Sequence, residues 1–346
     1  MSAIMKHSRW LAPFVSVAAI TIGTLTAVGY LLFSAPNRVQ LTVPSATTPR
    51  ISFFALGDQG SGQIEQWKVA RSMESVAERT GALDFVILLG DNFYGPELTS
   101  IHDLQWNWKF ESVYSGWMLA TIPFYALLGN HDVPADAQVE IRYAQDHAGS
   151  GRWQMPGHYY SRDFGSDDGH PLLRVVFIDS NQLEPGDLDK QIHFVEDAFS
   201  SDPGRQATWR IVVAHHPIRH FGIERENAVL VSQLLPVLQK YHVDLYMSGH
   251  DHNQQFIVRD GEPYYVISGG GGKKLEQLPT TQGNGLPFTA LAYGFSSVAV
   301  DASRMVISYF DDDARMLSHY AIERRCSAPA STCLQPAIDD DARRAD

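Results

Sequence analysis

Five short apolar runs in this chain break off at the same kind of place. Ile51–Leu56 ends in Gly57-Asp58-Gln59-Gly60, and Phe85–Leu89 in Gly90-Asp91-Asn92-Phe93-Tyr94. Phe124–Leu128 ends in Gly129-Asn130-His131-Asp132. Ile211–Val213 ends in Ala214-His215-His216-Pro217, and Val243–Met247 leads to Gly249-His250-Asp251-His252. Each run reads as a buried strand, and the Gly at four of the five ends lets the chain turn sharply. In an open α/β sheet, ligands bind outside the carboxyl ends of the strands. Five such ends rich in Asp, Asn, His and Tyr predict one shared site, most simply a metal centre.

Between these runs the apolar period changes to that of helices. Helices are predicted over Gln63–Arg79, Trp106–Leu119, Val139–His147, Leu188–Phe199 and Asn227–Lys240. Leu172–Ile178 and Trp209–Val213 read as further buried strands. After His252 the helical period disappears. Gln255–Val258, Tyr264–Ser268, Phe295–Val300 and Met305–Phe310 are short strands without clear helices between them. The pattern is mixed α/β with a strand-rich C-terminal third, most simply two packed sheets flanked by helices.

Composition narrows the function more than the fold. The chain has 346 residues, 44% hydrophobic and 19% charged, an ordinary globular make-up. Its formal net charge is −12 and no Lys/Arg cluster stands out. Nucleic acid is therefore not an expected partner, since its binding rests on basic residues. A phosphorylated substrate remains open, because a metal centre supplies local positive charge.

The N-terminus has its own character. Trp10 to Phe33 is a stretch of 24 residues without a charged side chain. As a helix it would span about 36 Å, enough to cross a bilayer. Lys6 and Arg9 precede it, as in an export n-region. The stretch is longer than the apolar core of a cleavable signal, and a cut after Ala35 would place Phe33 where a small residue is needed. We read residues 1–9 as a cytoplasmic n-region, 10–33 as an uncleaved signal anchor, and 34–50 as a Pro/Ser/Thr linker. The catalytic domain then spans 51–322, outside the cytoplasm, and 323–346 is a tail. Secretion after cleavage is the alternative. Cys326 and Cys333 close a short loop of small residues, and a disulfide there fits an oxidising compartment.

The donor types fix the chemistry. Carboxylate, amide oxygen, imidazole and phenolate suit Fe, Zn, Mn or Mg. No cysteine lies near the motifs, so a structural zinc site is excluded. Asp58, Asp91, Tyr94, Asn130, His216, His250 and His252 are too many donors for one ion. Leaving several of them buried without partners would cost roughly a few kcal/mol each. Two ions about 3.5–4 Å apart, sharing one carboxylate, use all of them.

Taken together, Gly-Asp-x-Gly, Gly-Asp-x-x-Tyr, Gly-Asn-His-Asp, Val-x-x-His and Gly-His-x-His resemble the motifs of the calcineurin-like metallophosphoesterases. Within them the set is similar to the purple acid phosphatases of the tartrate-resistant type. The resemblance covers roughly residues 51–270. Gln59-Gly60 follows Asp58 where many phosphodiesterases have a histidine, and Tyr94 stands three residues after Asp91. The resemblance implies an αββα sandwich and a pair of ions, Fe(III) plus divalent Fe, Zn or Mn. It implies Asp58, Tyr94 and His252 at the ferric ion, Asp91 as bridge, and Asn130, His216 and His250 at the divalent ion. His131 is implied to face the substrate phosphate as a catalytic group and not as a ligand. His215 occupies an x position, and strand alternation turns it away from His216, into a supporting or buried role.

The implied reaction is hydrolysis of a small phosphate monoester. Two cations neutralise the ester and acidify bound water, so that a metal-bound hydroxide attacks in line. A phosphodiesterase of the same superfamily and a non-catalytic scaffold are the alternatives. Arg219 and His220, after Pro217, contact phosphate or are simply a solvated loop. Gly269–Gly272 followed by Lys273-Lys274 fails the phosphate-loop spacing and reads as a close backbone turn at a strand end.

Overall fold

The computed structural model describes residues 37–132, 136–182, 187–221, 226–278, 287–324 and 330–336. The predicted anchor, 10–33, lies outside them, as do Cys326 and residues 337–346. Among the described residues no helix is long and apolar enough to cross a membrane. Cys333 is disulfide-bonded.

The strands in chain order are β1 (Ile51–Leu56), β2 (Phe85–Leu88), β3 (Phe124–Ala126), β4 (Trp153–Gln154), β5 (Tyr160–Asp167), β6 (His170–Phe177), β7 (Trp209–Val213) and β8 (Leu245–Ser248). They continue with β9 (Gln254–Ile257), β10 (Tyr264–Ser268), β11 (Phe288–Ala290), β12 (Gly294–Val300), β13 (Arg304–Asp311), β14 (Met316–Glu323) and β15 (Leu334–Pro336). One sheet runs β15-β14-β13-β12-β1-β2-β3-β4 and the other β11-β9-β10-β8-β7-β6-β5. Both are mixed. In the first, β1 to β4 are parallel and β12 to β15 antiparallel. In the second, β6, β7, β8 and β10 are parallel.

The two sheets share one core. Phe53, Val298 and Ile307 of the first belong to the same buried cluster as Leu173, Ile211 and Val266 of the second. Alternate residues of β7 face opposite ways. Ile211 and Val213 enter the shared core, while Val212 packs under the helices Asp187–Ser200 and Leu235–Lys240. Burial on both faces is why this strand reads as a continuous apolar run. Register then aligns the strand ends. Leu56 lies beside Leu88 and Leu88 beside Ala126, while Phe177 lies beside Val213 and Val213 beside Met247. All five predicted motifs leave their sheets at one edge.

Two predicted helices differ from expectation. Trp106–Leu119 is not one helix but a wide turn, Asn107–Glu111, and a tight one, Leu119–Thr121. Ser115-Gly116 breaks it, and the carboxylate of Glu74 accepts from the backbone N–H groups of Met118 (2.8 Å) and Leu119 (3.2 Å). Asn227–Lys240 is helical from Ala228, but it is interrupted by a wide turn, Leu230–Leu234. Pro236 has no N–H to close the regular ladder there.

Both segments outside the predicted domain also meet it. The linker's Val39 donates to Ser150 and its Thr42 to Thr121, at 3.0 and 2.7 Å. In the tail, β15 pairs with β14.

Candidate metal centre

The site is built where the two sets of loops touch. A Cβ on Gly57 would lie 2.9 Å from Gly249 Cα, and one on Gly90 would lie 2.7 Å from His215 Nδ1. Only glycine lets these loops meet so closely. Three site residues then take left-handed backbone, with φ of 60° at Asp58, 54° at Asp91 and 69° at His250. Such conformations cost on the order of 1–3 kcal/mol each and persist where the surroundings over-determine them.

The donors fall into two groups. In the first, Tyr94 OH lies 2.7 Å from Asp91 Oδ2, 3.1 Å from Asp58 Oδ1 and 3.2 Å from His252 Nε2. His252 Nε2 is 3.5 Å from Asp58 Oδ1. In the second, Asn130 Oδ1 lies 2.9 Å from His215 Nε2 and 3.0 Å from His250 Nδ1. His215 Nε2 is 3.3 Å from His250 Nδ1 and 3.5 Å from Asp91 Oδ1. Asp91 thus turns one oxygen to each group. Asp58 and Asp91 are 0% and 1% exposed.

Two of the imidazoles are aimed by carbonyl groups. Nδ1–H of His252 donates to Lys274 O and Nδ1–H of His215 to Leu89 O, both at 2.9 Å. Each leaves its Nε2 lone pair directed at the other donors, the arrangement that orients a metal-ligating histidine. The backbone N–H of His250 donates to Asp58 Oδ2, and that of His131 to Asp91 Oδ1.

The expected residues are therefore brought together, and His215 joins them. His215 is not turned away; it is fully buried at the middle of the second group. Strand alternation does not reach it, because β7 ends at Val213. His216 stays at the site too, its ring 4.5 Å from that of His250, in the same cluster of candidate ligands. Its Nδ1 lies 2.9 Å from Ser180 Oγ. Arg219 is not available to a phosphate. Its guanidinium is paired in bidentate fashion with Glu262 and also with Glu226. His220 is held by Asp251 at 2.8 Å.

The sequence reading gave no role to the frame behind the donors. Asp132 is fully buried and accepts from the backbone N–H groups of Gly129, Asn92 and Phe93, at 2.8, 3.1 and 3.0 Å. Asn92 in turn donates to Leu127 O and Glu140 Oε2 and accepts from Gln59. These bonds fasten the loop after β3 to the loop after β2. The signal was present, since Asn92, Gln59 and Asp132 all stand inside the motifs.

The electrostatics show what the site needs. Burial, then the charge of Asp91, pushes the Asp132 carboxyl up to about 7. Burial, then the charges of Asp58 and Asp91, pushes the Tyr94 phenol far above its usual range. Burial favours neutral His252, but its bond to Asp58 and that carboxylate's charge outweigh this and hold it up at about 9. Burial, then the neighbouring His215 and His250, pushes His216 down to about 3. Packed carboxylates and a phenol demand positive charge, and oxygen and imidazole donors suit Fe, Zn or Mn. The residues could hold a pair of cations, one among Asp58, Asp91, Tyr94 and His252 and one among Asp91, Asn130, His215 and His250, with His216 beside the second.

Comparison with known proteins agrees with this class. The calcineurin-like phosphoesterase family model matches residues 53–254, and the chain belongs to that family. Within it, the chain is 31% identical over 295 residues to purple acid phosphatase 3 of Arabidopsis thaliana, covering 81% of this chain and 80% of that protein. It is 28% identical over 325 residues to tartrate-resistant acid phosphatase type 5 of Homo sapiens, covering 82% and 95%. Among solved structures, the fold matches GAP50, the anchor in the inner membrane complex of Plasmodium. The TM-score is 0.70 at 22% identity, over 80% of this chain and 89% of that one. It also matches purple acid phosphatase PPD1 from yellow lupin (Lupinus luteus), with a TM-score of 0.63 at 18% identity, over 84% and 55%.

Metal analysis of purified variants tests the donor groups. Asp91→Ala, which removes an oxygen from both, is expected to lose both ions. His215→Ala is expected to lose the second ion and retain the first. Full metal content in His215→Ala would take that residue out of the ligand set.

Proposed function

We propose that this protein is a binuclear metal-dependent acid phosphatase acting on small phosphate monoesters. One observation carries the reading: Asp91 presents one oxygen to each of two four-donor groups, a placement from which a carboxylate can bridge two ions. The acid phosphatases among its relatives support the substrate class. Tyr94, placed against Asp58, Asp91 and His252, supports Fe(III) in the first group, with Fe, Zn or Mn as the divalent partner in the second.

When bound, two such ions supply the charge that binds the ester and a water acidic enough to attack it near or below neutral pH. The protein does the rest by position. Nδ1–H bonds to Leu89 O and Lys274 O hold His215 and His252 in the tautomer that offers Nε2. His131 is exposed at the site, its backbone tied to Asp91 and its ring 4.7 Å from that of Tyr94. From there it is placed to give a proton to the leaving alkoxide. A chain anchored through residues 10–33, with this site outside the cytoplasm, completes the proposal; the uncharged 24-residue stretch supports it.

The iron-loaded protein is expected to absorb in the visible through the Tyr94 phenolate, and Tyr94→Phe is expected to abolish the band. Turnover of a monoester is expected to exceed that of a diester. A colourless, iron-containing and fully active protein would rule out tyrosine ligation, and a preference for diesters would favour a phosphodiesterase.

His131→Ala is expected to keep both metals and to lower kcat on an alkyl phosphate by roughly 10²–10⁴-fold. An aryl ester with a good leaving group is expected to lose much less. Equal losses on both esters would assign His131 to phosphate binding instead.

The protein is expected to stay with membranes after a salt wash and to keep its N-terminus. A soluble form starting near Pro36 would show a cleaved signal.

A further inference from the structure

The run Gly269–Gly272 follows β10 and passes directly against the loop that carries Asp58. A Cβ on Gly269 would lie 2.1 Å from Asp251 O, and one on Gly271 2.3 Å from Gly57 O. Gly271 N–H donates to Gly57 O at 3.1 Å and Lys273 N–H to Asp58 O at 2.9 Å. Side chains at those glycines would push the strand end away. With none there, the backbone lies close and delivers Lys273 to one place. Its ammonium stands 4.1 Å from the centre of the Tyr94 ring. Lys273 is half-buried, and among the described residues no carboxylate pairs with it. Its neighbour Lys274 is exposed and serves the site only through its backbone carbonyl, which accepts from His252.

A cation on the face of an aromatic ring is attracted to the ring's electron density. That attraction lowers the energy of the ring's filled levels. A tyrosine donating through its oxygen to a ferric ion then donates less strongly, and groups outside the ligand set tune a metal in this way. We propose that Lys273 is a positioning residue that fixes the Tyr94 ring and weakens it as a donor, setting the colour and reduction potential of the ferric site. The inference rests on the reading of Tyr94 as a ligand of Fe(III). It gives the glycine run and its lysine a role that the phosphate-loop spacing denied them. A lysine is suited to it, being a compact charge that can stand over a ring without a bidentate partner.

The test uses the iron-loaded full chain and compares Lys273→Met, Lys273→Arg and Lys274→Met. The absorption maximum and the potential, from reductive titration with dithionite, are read together with iron content. Lys273→Met is expected to keep its iron, to absorb at longer wavelength and to show a lower potential. Lys273→Arg, which restores the cation, is expected to return both towards wild type. Lys274→Met is expected to move them much less, because its charge is solvent-screened. If Lys273→Met does not accumulate folded, Lys273→Gln replaces it with the same expected shifts. An unmoved band and potential in a fully loaded neutral variant would overturn the proposal, as would equal shifts on removing Lys274. A wild-type protein with no band that Tyr94→Phe abolishes would overturn the ligand reading, and this proposal with it. An unmoved band beside a working Tyr94→Phe control would overturn this proposal alone.

Discussion

Negative charge concentrated in a dry place is the constraint around which the rest is arranged. Asp58 and Asp91 are out of contact with water, and Tyr94 touches a carboxylate oxygen of each. Asp132, also buried, stands just behind them on backbone N–H groups. Burial and the neighbouring carboxylate charge hold the Asp132 carboxyl and the Tyr94 phenol above their usual ranges, so positive charge is favoured here. The scaffold therefore has two tasks. It must hold the donors rigidly against their own repulsion, and it must leave space between them for positive charge.

Rigidity comes from joining two sheets at one edge. The loops after β1 and β2 come from one sheet and those after β7 and β8 from the other, and glycines let them interlock. The strained backbone at Asp58, Asp91 and His250 is a consequence of that closeness. Backbone N–H groups of His131 and His250 hold Asp91 through Oδ1 and Asp58 through Oδ2, so the orientation of each carboxylate is fixed by the backbone. The Asp132 clamp does the same for whole loops. Loss of it would loosen Asn130 and Asp91 together, although Asp132 lies in neither donor group.

The sequence carried most of this, for a physical reason. Strands buried on both faces leave long apolar runs, and close loop contacts leave glycines, so β1, β7 and β10 could be bounded to the residue. The ends of runs then located the site. What the sequence could not carry was anything set by contact between distant segments. The broken helix at Ser115-Gly116 depends on Glu74, far away in the chain, to cap it. β5 and β14 each mix buried with exposed positions and so give no apolar run. Arg219 reads in the sequence as either a phosphate contact or a solvated side chain, because Glu226 and Glu262 become its partners only in the folded protein.

His215 shows the limit most sharply. Alternation is a property of the hydrogen-bonded ladder, and it assigns faces only while the ladder lasts. Beyond Val213 the chain is turning, and parity no longer says which side chain points inward. A different mark does: a ligating imidazole needs its second nitrogen tied to an acceptor. His215 has Leu89 O, a strand-end carbonyl on the opposite sheet, and His252 has Lys274 O from the glycine-run loop. His216 has instead a serine hydroxyl, which accepts or donates equally well and so does not by itself fix a tautomer. Where two histidines stand side by side at the end of a strand, the one facing a backbone carbonyl has its donor nitrogen decided by the fold. That carbonyl belongs to a segment 126 residues away, so the motif alone does not reveal it.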